Sequence, residues 1–219
     1  MAKVELSNAI QDYLKELYKL HSAGERATTT TVARRMRVSP PSATAMIKKL
    51  AELGLVEHTP YRGATLTDEG ERTALEVVRH HRLLEQYLAQ SLGLSLDEVH
   101  AEADRLEHAL SEELEAHIDR TLGYPTHDPH GDPIPDANLR MAEGEVRPLA
   151  TLAEGDEATI RRVPDGDGDL LRYLSRLRLT PGRKVRVAGI EPFGGPLTIA
   201  VGSSRHPISR ELAGLIGVA

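Results

Sequence analysis

Cysteine and tryptophan are absent from the 219 residues, and phenylalanine occurs once. The lack of cysteine excludes a disulfide framework, a thiolate zinc site and a cysteine nucleophile, and it is consistent with a cytoplasmic protein. Aromatic residues make up only 3%, so stacking of single-stranded bases on aromatic platforms is not expected. No apolar run approaches the ~18 residues a membrane-spanning helix needs. The N-terminal stretch MAKVELSNAIQDYLKEL alternates charge with apolar residues and lacks a signal-peptide core. What is present is a globular composition, with 40% hydrophobic and 27% charged residues, enough for one or two domains with real cores.

The net charge of -6 hides an asymmetry. Residues 1–65 carry ten Lys+Arg against six Asp+Glu, a net of +4, and residues 66–219 carry seventeen against twenty-seven, a net of -10. A basic segment on an acidic remainder points to a polyanionic partner for the first segment. Histidine is also uneven: seven of the ten lie between His80 and His130. That cluster fits either a solvated helical region or a metal site.

Helical spacing runs through residues 5–20, with Ile10, Tyr13, Leu14, Leu17, Tyr18 and Leu20 on the apolar face and Ser7 or Asn8 as cap. A short helix is expected over 28–37, and a third opens at Ser39-Pro-Pro-Ser and ends at Gly54. The runs LVEHT and ATLTDEG, separated by Pro60-Tyr-Arg-Gly63, read as a β-hairpin. A long helix follows from Asp68 through Leu92, then one opened by Ser95 (LDEVHAEADRLEHAL) and one opened by Ser111. Residues 123–148, rich in Pro, Gly, Asp and His, read as a linker. Beyond Leu149, the runs EATIRRV, RKVRVAGI and PLTIAVG predict a small barrel-like β domain interrupted by the helical stretch DLLRYLSRL.

The order helix, short helix, turn, helix, β-hairpin is a winged helix-turn-helix, in which the third helix enters a DNA major groove. Its leading side chains, Ser39, Pro41, Ser42 and Thr44, are small and suit methyl and hydroxyl contacts. Arg34, Arg35, Arg37, Lys48 and Lys49, with Arg62 at the wing tip, are the candidate phosphate contacts. Such modules also mediate protein contacts; the charge asymmetry favours double-stranded DNA.

The stretch His100-Ala-Glu-Ala-Asp104-Arg-Leu-Glu107-His108 carries the chemistry. On one helix, Asp104, Glu107 and His108 share a face. Two carboxylates and an imidazole converging there repel and resist burial unless a divalent cation joins them. Oxygen and nitrogen donors without thiolate suit Mn²⁺ or Fe²⁺. His81 and Glu85 share a face of the preceding helix, and His100 lies one turn before Asp104.

Together these motifs resemble the diphtheria-toxin-repressor family, within it the manganese transport regulators. They are AIQDYLKELYKL, VSPPSATAMIKKLAELGLVEHTPYRGATLTDEG, VVRHHRLLEQYL, GLSLDEVHAEADRLEHALSEELEAHI and DPHGDPIP, with LLRYLSRLRLTPGRKVRV and GGPLTIAVG resembling the SH3-like domain of ferrous-iron-transport accessory proteins. The resemblance implies a mainly α chain with a small β domain: a winged helix-turn-helix over residues 1–72, a helical dimerisation and metal-binding domain over 73–144, and an SH3-like β-barrel over 145–219. It implies a cytoplasmic homodimer with two metal sites per subunit, metal acting as corepressor at palindromic operators of metal-transport genes. The primary site is Asp12, Asp104, Glu107 and His108; oxygen donors at the first two positions shift preference from Fe²⁺ toward Mn²⁺. The ancillary site is His81, Glu85 and His100, with Asp167 or Asp169, in the Asp165–Asp169 loop, as candidate donors from the last domain. Lys15 stands where two-domain manganese regulators carry Glu, which favours two separated sites over a close pair. Asp128 stands where some relatives have Cys, and is either an oxygen ligand in its place or a solvated turn residue, the turn being slightly favoured. A metal-dependent hydrolase, or a constitutive DNA-binding protein with a structural metal, is the competing reading; no general base or substrate loop supports the former, and no enzymatic activity is expected.

Overall fold

The computed structural model describes residues 6–59, 63–142 and 144–219. Helix α1 (Asn8–Ser22) buries Ile10, Tyr13, Leu14, Leu17 and Leu20 on one stripe, as its spacing requires. Helix α2 (Thr29–Arg35) begins at Thr28, whose hydroxyl accepts from the Thr31 amide. Helix α3 (Pro40–Glu52) begins at Ser39, whose Oγ accepts from the Ser42 amide at 3.3 Å, and Pro40 takes the first helical position, where no N–H is needed. The connection between α2 and α3 bends through Arg37 at φ 53°, a left-handed conformation that costs a side-chain-bearing residue roughly 1–2 kcal/mol.

Strands β1 (Val56–Thr59) and β2 (Gly63–Leu66) pair antiparallel, Val56 opposite Leu66 and Thr59 opposite Gly63, as the hairpin reading predicts. Leu14, Leu17, Leu20, Ile47 and Leu50 close the core beneath them. Helix α4 (Asp68–Leu92) is seated by Gly70, where a Cβ would stand 1.9 Å from the Leu55 carbonyl oxygen.

The chain forms two compact units that follow packing rather than sequence order. The first comprises residues up to His80 with Glu107–Leu110 and Pro135–Arg140; the second comprises His81–Leu106, Ser111–Ile134 and Met141–Ala219. In the second, α5 (Leu96–Leu106) and α6 (Glu112–Thr121) precede β3 (Arg147–Pro148), β4 (Glu157–Arg162), α7 (Gly168–Arg176), β5 (Lys184–Ile190), β6 (Leu197–Val201), β7 (Ser204–Ile208), α8 (Arg210–Leu215) and β8 (Gly217–Val218). The strands form one antiparallel sheet in the order β3-β8-β4-β5-β6-β7. Ile160, Leu171, Leu174, Val187, Leu197 and Ile199 are among its core, and Leu96 of α5 packs against it. Arg172 of α7 reaches Asp97 of α5 at 2.8 Å.

Two expectations are corrected. The helix opened by Ser95 does not run unbroken to Leu110: it ends at Leu106 and a 3-10 turn, Glu107–Ala109, follows. The stretch 126–134 is not a solvated linker. Asp128, His130 and Ile134 are buried, the His130 carbonyl accepts from Val163 N at 2.9 Å, and Gly131 (φ 91°) lies so close to β4 that a Cβ would meet the Arg161 carbonyl oxygen at 1.7 Å. Among the described residues no helix is long and apolar enough to cross a membrane.

Candidate functional site

The first cluster lies within the first unit. Asp12, Glu107 and His108 each offer a donor atom, all within 4.8 Å of one another. His108 Nε2 is 2.9 Å from Asp12 Oδ1 and 3.5 Å from Glu107 Oε1. On the other side of the ring, His108 Nδ1 donates to Gln11 Oε1 at 2.8 Å, and the Gln11 amide in turn donates to the Leu6 carbonyl at 3.2 Å. With Nδ1 committed to Gln11, Nε2 is the ring nitrogen that faces the two carboxylates, the orientation a metal-ligating imidazole requires. His80 Nδ1 donates to the Glu107 carbonyl at 3.2 Å. Gln11 carries no sequence signal for this role, because an amide beside an imidazole is visible only after folding.

Asp104 is not part of this cluster. Beyond Leu106 the α-helix gives way to the 3-10 turn that carries Glu107 and His108. Asp104 instead faces His81 Nδ1 at 3.3 Å and His100 Nε2 at 3.7 Å, and these three form a second cluster.

Within the second unit, Glu85 is the hub. Its Oε1 lies 2.9 Å from His100 Nδ1 and 3.0 Å from His81 Nε2, so His81, Glu85 and His100 come together as expected. A third cluster, Glu85, Asp128 and His130, is wholly buried. His130 was not singled out in the sequence. Its Nε2 donates to the Leu96 carbonyl at 2.9 Å, which leaves Nδ1 facing Glu85 Oε2 across 3.7 Å, too long for a hydrogen bond. Both of those atoms are buried without a hydrogen-bond partner. Asp128 is a turn residue, as expected, but not a solvated one: its Oδ1 accepts from the amides of His130 (2.8 Å) and Asp132 (2.9 Å), and it is 6% exposed.

The electrostatics follow from that burial. Burial pushes Glu85 toward protonation, but His81, His100 and His130 overcome it and hold the carboxyl well below its ordinary range. Burial, then the charges of Glu85 and Asp132, push Asp128 well above its ordinary range. Burial opposes charging His130, yet Glu85 and then Asp128 raise its pKa to about 9. Two orphaned buried donor atoms with an imidazole fixed from behind, and no sulfur, fit a divalent cation of the Mn²⁺ or Fe²⁺ type.

Asp167 and Asp169 lie elsewhere. Asp167 caps α7 by accepting from the Asp169 and Leu170 amides, and Asp169 pairs with Arg172. Each is thus held by partners within three residues of it.

On the helix-turn-helix, Arg34, Arg37, Ser39, Pro41, Ser42, Lys48 and Lys49 are exposed, as is Ala45, a small apolar residue that the sequence reading passed over. Arg35 is engaged by Glu16 at 3.1 Å and Glu25 at 3.5 Å. The Thr44 hydroxyl donates to the Pro40 carbonyl, and the Ser39 and Ser42 hydroxyls meet at 2.8 Å. Arg62 lies outside the described residues.

Three family models match the chain in succession: the iron dependent repressor N-terminal DNA binding domain over residues 5–64, its metal binding and dimerisation domain over 67–136, and the FeoA domain over 147–219. The iron-dependent repressor IdeR of Mycobacterium tuberculosis is 30% identical over 98% of both chains. A solved manganese-dependent transcriptional repressor in complex with manganese is similar at a TM-score of 0.89, with 40% identity over 96% of this chain and 99% of that one. The manganese regulator SloR follows at 0.80 and 31%, covering 96% and 97%. Matched end to end by these domains and relatives, the chain belongs to the iron-dependent repressor family.

Proposed function

We propose that the protein is a DNA-binding transcriptional repressor whose corepressor is a divalent metal, Mn²⁺ in preference to Fe²⁺, acting in the cytoplasm as a homodimer on palindromic operators of metal-transport genes. The observation that carries this reading is the Asp12–Glu107–His108 cluster: α1 of the winged helix supplies one donor and the turn after α5 supplies two. Asp12 and Glu107–His108 can share one ion only while α1 and that turn stay docked. Metal affinity and the docked arrangement of the winged helix are therefore linked. The bound ion supplies positive charge that neutralises the converging carboxylates; it is a structural effector and not a Lewis acid for catalysis.

A second ion is assigned to the buried cluster around Glu85, with His81, His100, His130 and Asp128 as the donor pool. The exposed Leu92, Leu106 and Leu114 of the helical segment support an apolar dimer face. A dimer presents two α3 helices, and a palindromic duplex requires them about 34 Å apart. Lys48, Lys49, Arg34 and Arg37 contact phosphates, and Ser42, Pro41 and Ala45 meet base edges. Arg35 enters that role only by leaving Glu16 and Glu25.

The test uses duplexes selected from a random pool by the Mn²⁺-treated protein. Anisotropy titrations in chelator and in Mn²⁺ are expected to differ by at least about tenfold in affinity, ~1.4 kcal/mol, and His108→Ala is expected to abolish the difference while leaving the dimer folded. Equal affinity in chelator would instead support constitutive binding with a structural metal.

A further inference from the structure

Lys15 lies one turn beyond Asp12 on α1, and its ammonium stands 2.6 Å and 2.9 Å from the two carboxylate oxygens of Glu107. Lysine is rarely buried without a partner, and here Lys15 is 9% and Glu107 1% exposed. The same Glu107 Oε1 faces His108 Nε2 at 3.5 Å, and His108 leads on to Asp12. One carboxylate is thus addressed from one side by a fixed organic cation and from the other by the two groups that complete the metal cluster.

We infer that Lys15 is a built-in competitor of the metal. With no ion bound, its ammonium neutralises Glu107 and keeps α1 attached to the Glu107–Ala109 turn. Coordination of a divalent ion takes at least one Glu107 oxygen from the ammonium and places two positive centres beside one carboxylate. Asp12 and Glu107 bring two carboxylates to the site and the Lys15 ammonium offsets one of them, which weakens the attraction for an incoming dication. Lys15 therefore stabilises the metal-free form, lowers metal affinity and raises the free metal concentration at which the protein responds. The inference rests on the Asp12–Glu107–His108 site reading, and it separates from the opposite role, in which Lys15 orients Glu107 to help the metal bind.

The test is Mn²⁺ titration of the full chain by calorimetry, with thermal melts in chelator, for wild type, Lys15→Met, Lys15→Gln and Lys15→Arg, each measured with and without His108→Ala. The expected result is Mn²⁺ bound about tenfold more tightly by the Met and Gln variants at the His108-dependent site, ~1.4 kcal/mol. Both should melt lower in chelator and show a larger Mn²⁺-induced rise, and the Arg variant should stay close to wild type. A Met variant that folds only in Mn²⁺ is the same result in stronger form. Unchanged or weaker affinity in Met and Gln variants, while wild-type binding remains His108-dependent, overturns the role of Lys15. So does failure of both variants to fold even in Mn²⁺. Wild-type binding that ignores His108→Ala overturns the site reading instead.

Discussion

Glu85→Gln removes the charge around which His81, His100 and His130 gather while preserving its shape. In metal-free protein its cost can be worked from His130, raised from an ordinary 6.5 to about 9 by Glu85 and Asp128 against burial. That difference corresponds to about 3 kcal/mol at 1.36 kcal/mol per unit, within the ~3–5 kcal/mol lost when one partner of a buried pair is removed. Because the folded-state value is raised, this stabilisation is complete below about pH 6.5 and is lost as pH rises through about 9. Asp128, held above its ordinary range by burial and by Glu85 and Asp132, contributes fully below the ordinary carboxylate range and loses its contribution as pH rises above it. Glu85, held low by its histidines against burial, contributes above the ordinary carboxylate range and loses its contribution as pH falls. In chelator near pH 6.5, the variant is therefore expected to melt about 10 °C below wild type, at ~2–4 °C per kcal/mol for a chain of this size. Scanning calorimetry near pH 6 and again above pH 9 checks it: the gap should be wide in the first and narrow in the second. A gap of equal width at both would show that His130 is not held charged by Glu85, and the reasoning fails.

Gly131→Ala places a Cβ 1.7 Å from the Arg161 carbonyl oxygen at φ 91°, so urea unfolding should register a loss of ~3 kcal/mol or more. Arg37→Gly relieves the left-handed φ of 53° and should stabilise the protein by up to ~1 kcal/mol in the same assay while weakening DNA binding. Lys48→Ala should weaken binding to selected and scrambled duplexes alike and lower the log–log salt slope by roughly one, whereas Ser42→Ala should alter preference among duplexes with little change in slope; salt titrations of both variants decide whether α3 faces DNA as assigned.

Local chemistry made much of the first unit legible. Ser39 and Pro40 announce α3 because an N-cap oxygen and a missing N–H act within one turn, and the Leu14, Leu17 and Leu20 stripe encodes its own burial. The strand runs and the α7 stretch of the second unit were readable for the same reason, since periodicity is a property of neighbouring residues. The donors His81, Glu85, His100, Asp12, Glu107 and His108 were also identifiable as residue types.

Their grouping was not. Asp104 groups with His81, which stands on another helix, α4, a partner that spacing within α5 does not reveal. His130 meets Glu85 from 45 positions away in a stretch whose Pro and Gly content reads as linker, and burial there comes from β4 lying against Gly131. Lys15 and Glu107 are 92 residues apart. By itself the sequence determined which donors the protein owns, the winged helix that carries Asp12, and the absence of thiolate. Only the tertiary structure decided which carboxylate faces which imidazole and which is already held by an ammonium, because Coulomb and hydrogen-bond partners are chosen by distance in space, a quantity that spacing along the chain does not specify.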